Sequence, residues 1–188
     1  MLRCLTISTS LNPASRSAGL AAAARDAVAG AGGGAGGEVE SALLDLRDRP
    51  LPLCDGGACY ADPAVGEAAA AIARADLLLV AAPVYDYGVN AAAKNLVELT
   101  GRSWTGKTVG FLCAAGGKGS YMSVMGFANT LMLDCRCLVL PRFVYADPEA
   151  ADAEGVPTPE LKARVEALAA EGVRVASALR RAEPVAAG

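Results

Sequence analysis

Apolar residues along this chain gather in short continuous runs, and the segments between those runs carry apolar residues at helical spacing. Leu2–Ser8, Val39–Leu46, Asp76–Ala82, Thr108–Ala115 and Cys137–Val144 have the length and character of buried strands. Helical patterns lie between them. One runs from about Ser17 to Ala29, with Leu20, Ala24, Ala27 and Val28 on one side. A second starts at Asp62-Pro63, a capping carboxylate followed by proline in the first turn, and runs to about Ala75 with Val65, Ala69 and Ile72 inward. A third spans Asn90–Thr100 and stops at Gly101. The last begins at Thr158-Pro159-Glu160 and carries Leu161, Val165, Leu168, Val175 and Leu179 at helical spacing. Strands alternating with helices predict an α/β fold: a parallel sheet with helices on both faces, joined by right-handed crossovers.

The remaining helical pattern, Ser120 to about Asp134, has another character. Tyr121, Met122, Met125, Phe127, Leu131, Met132 and Leu133 cover more than one of its faces. A helix apolar nearly all round is buried on two sides, which here predicts a subunit interface.

Composition narrows the function classes. The 188 residues, 53% apolar and 20% charged, are those of one globular domain, expected over 1–182, with a short tail at 183–188 expected to lack structure. A net charge of −3 with no basic stripe gives no electrostatic reason to bind nucleic acid. No apolar run approaches the ~20 residues of a membrane span, and the N-terminal MLRCLTIST is too short for a secretory core, so a soluble cytoplasmic protein is expected. The chain has no histidine, which removes Ser-His-Asp and Cys-His catalysis and every imidazole zinc site. Chemistry must come from a cofactor, a carboxylate, a lysine or a cysteine. Cys4 and Cys113 sit in apolar runs and read as small core residues. Cys54 and Cys59 share a loop, and Cys135 and Cys137 are one residue apart; neither spacing is that of a zinc ribbon. Reduced thiols are expected, with Cys54 and Cys59 the one candidate redox pair.

Two motif matches fail on context. Gly32–Gly37 satisfies G-x-G-x-x-G but lies after a helix and before a strand, the reverse of a dinucleotide fingerprint. Gly101–Thr108, GRSWTGKT, satisfies the P-loop pattern, yet it too runs helix, loop, strand.

A third set of segments does cohere. In a doubly wound sheet of strand order 2-1-3-4-5, the loops after the first, third and fourth strands meet at the switch point where ligands bind. The first loop, Thr9–Ser17, offers Thr9, Ser10, Asn12, Ser15, Arg16 and Ser17 at a helix N-terminus, which favours an anion such as a monophosphate. The second, Pro83–Val89, offers Pro83, Val84, Tyr85, Asp86 and Tyr87 as an aromatic and backbone surface for a planar ring. The third, Ala115–Ser120, offers Ala115, Gly116, Gly117 and Lys118, with glycines that let backbone approach a ligand. Phosphate at one end and a flat heteroaromatic at the other describes FMN.

These residues resemble the NADPH-dependent FMN reductase family. ISTSLNPASRS is similar to its phosphate loop at Ser10, Ser15, Arg16 and Ser17, although Thr9 and Asn12 stand where the family commonly has glycine and arginine. APVYDYGVNAAAKNL resembles its isoalloxazine loop and following helix at Pro83, Tyr85, Lys94 and Asn95, and GKTVGFLCAAGGKGSY its fourth strand and glycine loop. The likeness runs over roughly Leu2–Ala146, and the first two loops together look most like the flavin reductases of two-component sulfonate monooxygenase systems. It implies a flavodoxin-like, doubly wound five-stranded parallel sheet, a homodimer or homotetramer, and FMN with NADPH or NADH as cofactors. Hydride would pass from nicotinamide C4 to flavin N5, with no obligatory protein acid or base and no metal. Reduced flavin would go to a partner such as a flavin-dependent monooxygenase, or to another acceptor. Lys94, on a helix, reads as a surface or interface charge. Two other functions fit the same segments: an FMN-bound reductase of quinones, azo compounds or metal ions, and a one-electron carrier like flavodoxin.

Overall fold

The computed structural model describes residues 1–31, 38–150 and 156–182. Its centre is a strand that is apolar on both faces. This strand, β3 (Leu77–Tyr85), pairs in parallel with β1 (Leu2–Ser8) on one side and β5 (Thr108–Ala114) on the other. Successive β3 side chains point to opposite faces. Leu78 and Val80 enter one core with Leu5, Ile7, Val109 and Phe111; Leu77, Leu79 and Ala81 enter the other with Leu2, Cys4 and Leu112. A strand buried on both faces must read as a continuous apolar run, and this one does.

Helices cover both faces. α1 (Arg16–Ala31) and α5 (Pro159–Ala182) pack together over the second core. α2 (Pro63–Arg74), α3 (Ala91–Thr100) and α4 (Met125–Leu133) supply Ile72, Leu96 and Leu131 to the first. α5 comes close to the sheet at two glycines. A Cβ on Gly110 would lie 2.9 Å from Leu79 Cδ2 and 3.1 Å from Leu168 Cδ1, and one on Gly172 would lie 2.9 Å from Leu77 Cδ2.

β2 (Val39–Asp45) forms one edge, and the order is β2-β1-β3-β5-β6, with β6 at Leu138–Val139. The expected five positions and 2-1-3-4-5 path hold, but among the described residues the sheet has seven strand segments. The fifth position is split: β6 pairs with Thr108–Val109 and β7 (Val144–Ala146) pairs with Leu112–Ala114. Pro141 lies between the two pieces and has no N–H to continue the ladder. The other addition is β4 (Gly88–Val89), antiparallel to the end of β3.

Local signals explain most boundaries. The Asp62 carboxylate accepts the Ala64 N–H at 2.8 Å and starts α2. Gly101, at φ +27°, ends α3. The Thr158 hydroxyl accepts the Leu161 N–H at 3.3 Å and starts α5. Three expected core positions shift: Ala68 is buried rather than Ala69, Ala21 rather than Ala27, and Val173 rather than Val175, while Leu179 is exposed. The rejected P-loop match is a C-cap and a turn. Trp104 is fully buried, its Nε1 donating to Thr100 Oγ1 at 2.8 Å; Gly106 takes φ +71°; Lys107 donates to the Ala73 carbonyl at 2.6 Å. The glycine run at 32–37 and the tail at 183–188 lie outside the described residues. Among the described residues, no helix is long and apolar enough to cross a membrane.

Candidate functional site

The site begins where the three central strands end. β1 passes into the Thr9–Ser15 segment, and the Thr9 N–H bonds the Ala81 carbonyl of β3 at 3.0 Å. Thr9 is fully buried. Its hydroxyl lies 2.8 Å from Asn90 Oδ1, and the Asn90 amide donates to the Thr9 carbonyl at 2.7 Å. Asn90 stands at the N-terminal end of α3 but makes no side-chain capping bond there. Its carboxamide instead ties the first loop to the second.

Beyond Thr9 the chain folds on its own polar side chains. Buried Ser10 accepts the Asn12 N–H at 3.2 Å, and the Asn12 carboxamide accepts the Ala14 N–H at 3.0 Å. Ser15 caps α1: its Oγ accepts the Ala18 N–H at 3.2 Å and lies 3.0 Å from Ser17 Oγ. The first N–H groups of any helix lack intrahelical partners, so Arg16 and Ser17 present backbone donors beside these hydroxyls at the positive end of the α1 dipole. The Arg16 guanidinium reaches across to the Ala115 carbonyl at 2.9 Å and joins the first loop to the third. Arg47 braces the loop from the β2 side through the Pro13 carbonyl, 3.2 Å away. Burial pushes the Asp45 carboxyl up, but hydrogen bonds from the Arg47 guanidinium and N–H outweigh it and hold the group below the usual carboxylate range.

The second loop is a hairpin, where an irregular loop after Ala82 was expected. β3 continues through Pro83, in register with Ala114, and through Val84 to Tyr85. Tyr85 pairs with Gly88, leaving Asp86 and Tyr87 as the turn, at φ +47° and +62°. Two successive left-handed residues are the signature of a type I′ hairpin turn, whose twist matches the strands. Aspartate tolerates that conformation; tyrosine is uncommon in it. Pro83 and Val84 are buried, whereas Tyr85 and Tyr87 are 56% and 60% exposed. The two rings therefore stand on a rigid ribbon above a buried base.

The third loop leaves β5 at Ala115, whose N–H bonds the Ala146 carbonyl at 2.8 Å. A Cβ built on Gly116, Gly117 or Gly119 would meet nothing within 4 Å, so the space over these glycines is open. Tyr145, on β7, locks the loop: its hydroxyl donates to the Gly117 carbonyl and lies 2.8 Å from Ser120 Oγ. Ser123, in the following turn, is buried with its hydroxyl unpartnered among the described residues. The Lys118 side chain does not turn inward. It is 70% exposed and bonds Glu149 at 2.8 Å, with Asp147 3.9 Å away, and the Glu149 carboxylate raises its pKa. Lys94 is likewise a surface charge, paired with Glu98 at 2.5 Å.

Sequence reasoning thus found the three loops and missed their cross-links. Asn90 and Tyr145 were overlooked, and no spacing signal marks them, because each bonds residues distant in the chain. A cleft of about 580 Å³ also opens beside the first loop, lined in part by Leu11, Pro13, Arg47, Leu51 and Ala91. It draws on the 47–53 segment between β2 and α2.

The loops can hold an anion at the α1 end and a flat ring against the hairpin and glycines. The open space above the glycines, the polar α1 N-terminus and the exposed tyrosines fit FMN. The family model of NADPH-dependent FMN reductases matches residues 2–152. An NAD(P)H-dependent FAD/FMN reductase of Geobacillus thermodenitrificans is 27% identical over 142 residues, covering 73% of this chain and 76% of that protein. Among solved structures, an oxidoreductase from Corynebacterium diphtheriae superposes with a TM-score of 0.75 at 21% identity, over 96% of this chain and 98% of that one. An archaeal flavodoxin superposes with a TM-score of 0.61 at 12% identity, over 94% and 99% of the two chains, so the fold is flavodoxin-like. Matched by the family model over residues 2–152, with the fold in agreement, this chain belongs to the NADPH-dependent FMN reductase family.

Proposed function

We propose that residues 1–182 form one FMN-binding domain, with the ligand held by Ser10, Ser15, Arg16 and Ser17 at its phosphate and by Pro83–Tyr87 and Ala115–Gly117 at its ring. The observation that carries this reading is the cross-linking of the three loops by the Thr9–Asn90 pair and the Arg16–Ala115 bond. These bonds preorganise the surface before any ligand arrives, which lowers the cost of binding. When bound, FMN supplies the hydride acceptor for NADPH or NADH. The chain's own part is positioning. The hydroxyls and N–H groups at α1 fix the phosphate end, Arg16 adds positive charge, and Tyr85 and Tyr87 shelter the ring and the incoming nicotinamide. Lys118 is left out of the ligand shell, because Glu149 and Asp147 already engage its charge.

The exposure of both tyrosines favours flavin that exchanges with solvent over flavin sealed inside. Reduced flavin then leaves for a partner, a flavin-dependent monooxygenase being the proposed recipient. All six cysteines are free thiols, which supports a reducing, cytoplasmic setting. The apolar side chains at 121–133 support a homodimer or homotetramer.

The test is a steady-state comparison of NADPH and NADH with free FMN, FAD and riboflavin, repeated with a quinone. FMN-dependent NAD(P)H oxidation with saturable free FMN is expected. Its absence would overturn the proposal. Tight retention of yellow flavin with turnover only on quinones would move the reading to a prosthetic-group reductase, and a stable blue semiquinone without hydride uptake to a one-electron carrier.

A further inference from the structure

The 47–62 segment between β2 and α2 carries a cluster of reactive groups that flavin binding does not use. Cys54 is half-buried, its sulfur 3.5 Å from the Tyr60 hydroxyl. It packs on the small cluster of Cys59, Val65 and Leu99. Backbone contacts fix the position. The Cys54 N–H donates to Asn95 Oδ1 at 2.9 Å, and the Asn95 amide donates to the Pro52 carbonyl at 2.9 Å. Cys59 sits in a 3-10 turn, Ala58–Ala61, with its N–H 3.2 Å from Asp55 Oδ1.

The six cysteines divide sharply. Burial pushes Cys4 and Cys113 up to about 12 and Cys137 to about 11, so these thiols are inert. Cys54 moves the other way: the Tyr60 hydroxyl and then the Gly56 N–H favour its thiolate. A half-buried sulfur 3.5 Å from a phenol hydroxyl, packed on a cluster that holds a second cysteine whose N–H bonds a carboxylate, is more than a lone cysteine.

We propose that Cys54 and Cys59 are a peroxide-reactive dithiol, with Cys54 the attacking sulfur and Cys59 the resolving thiol. The oxidant is hydrogen peroxide, which reduced flavin generates when dioxygen reoxidises it. The Cys54 thiolate attacks one peroxide oxygen, the O–O bond breaks, and hydroxide leaves and is protonated to water, giving a sulfenic acid. The Cys59 sulfur then attacks Cys54, the S–O bond breaks, and the Cys59 proton leaves with the hydroxyl as a second water. Two thiols are oxidised to one disulfide and one peroxide is reduced to two waters. Tyr60 is a positioning residue that favours the thiolate.

The test uses the reduced full-length protein, treated with stoichiometric hydrogen peroxide and followed by intact mass, peptide mapping and dimedone trapping. Wild type is expected to lose two hydrogens and yield a linked Cys54–Cys59 peptide. C59S should stop at a dimedone-trappable sulfenic acid on Cys54, and C54S should show neither product. Y60F should slow Cys54 oxidation roughly five-fold, the worth of one hydrogen bond, without changing the linked product. Folded wild-type protein that forms no 54–59 link, or whose Cys54 reacts no faster than free cysteine, overturns the proposal. A Y60F rate equal to wild type overturns the role of Tyr60.

Discussion

The Thr9 hydroxyl and carbonyl both bond the carboxamide of Asn90, at 2.8 and 2.7 Å, across 81 positions of sequence. Both residues are buried. The pair sets the separation between the loop proposed for the phosphate and the hairpin proposed for the ring. Asn90→Ala leaves the Thr9 carbonyl without its donor in a buried place, at a cost of about 2 kcal/mol. Denaturant melts should show that loss, and FMN titration should show affinity reduced roughly ten-fold as the two loops lose their fixed spacing. A stability loss with unchanged FMN affinity would make the clasp structural only.

Tyr87 gives a prediction in which stability and binding move apart. Its φ of +62° places a side chain in the left-handed region, which costs roughly 1–2 kcal/mol outside glycine. Tyr87→Gly removes that strain but makes the unfolded chain freer, so a net gain of up to ~1 kcal/mol is expected. FMN binding or the KM for nicotinamide should nevertheless worsen, because a ring has been removed from the ligand surface. Tyr85→Ala, on the strand side of the turn, should weaken binding without the gain in stability. Normal binding and turnover in Tyr85→Ala would return the hairpin to a purely structural role.

The central strands were legible because a strand buried on both faces must be apolar throughout, as Leu77–Ala82 is. Pro83 reads as a breaker, yet β3 runs on to Tyr85, because the proline costs only one donor near the strand end and its carbonyl is used by the Asn90 N–H at 3.1 Å. The turn at Asp86-Tyr87 was illegible as a hairpin because it lacks the glycine that usually marks one. Lys118 follows the glycines of the third loop, and the partners of its side chain, Asp147 and Glu149, come about thirty positions later, where no local pattern announces them. The expected helix from Ser120 begins only at Met125, since Tyr145 holds Ser120 and Gly117 in a tight turn.

Asp45 predicts a pH dependence. Its carboxyl is held below its ordinary value by Arg47, against the opposing effect of burial. A depressed carboxylate contributes stability above its unfolded pKa of about 3.9, and that contribution is lost as pH falls through the lower folded value. Asp45→Asn should therefore cost about 1–2 kcal/mol at pH 7, the range of a charge-assisted hydrogen bond. The gap between variant and wild type should narrow below pH ~4 as the wild-type carboxyl protonates. A gap that stays constant from neutral pH to acid would show that Asp45 acts through packing and not through charge.

The α4 region was expected to be buried on two sides, and within one chain it is buried on one. Phe127, Ala128 and Leu131 enter the core, while Tyr121, Met122, Met125, Met132 and Leu133 remain 49%, 48%, 44%, 37% and 65% exposed. Scattered exposed apolar residues are ordinary; five large ones within 13 positions are not, and methionines suit a surface that packs against another. A second copy of the chain is the proposed cover. Wild type should sediment as a dimer or tetramer at micromolar concentration, and Met125→Glu with Leu133→Glu should shift it toward monomer with its helical circular dichroism retained. Each carboxylate would have to be stripped of water to enter the interface, a cost of several kcal/mol that a contact of ordinary size does not offset. Wild type that sediments as a monomer under these conditions would leave the patch free and remove the argument for an oligomer.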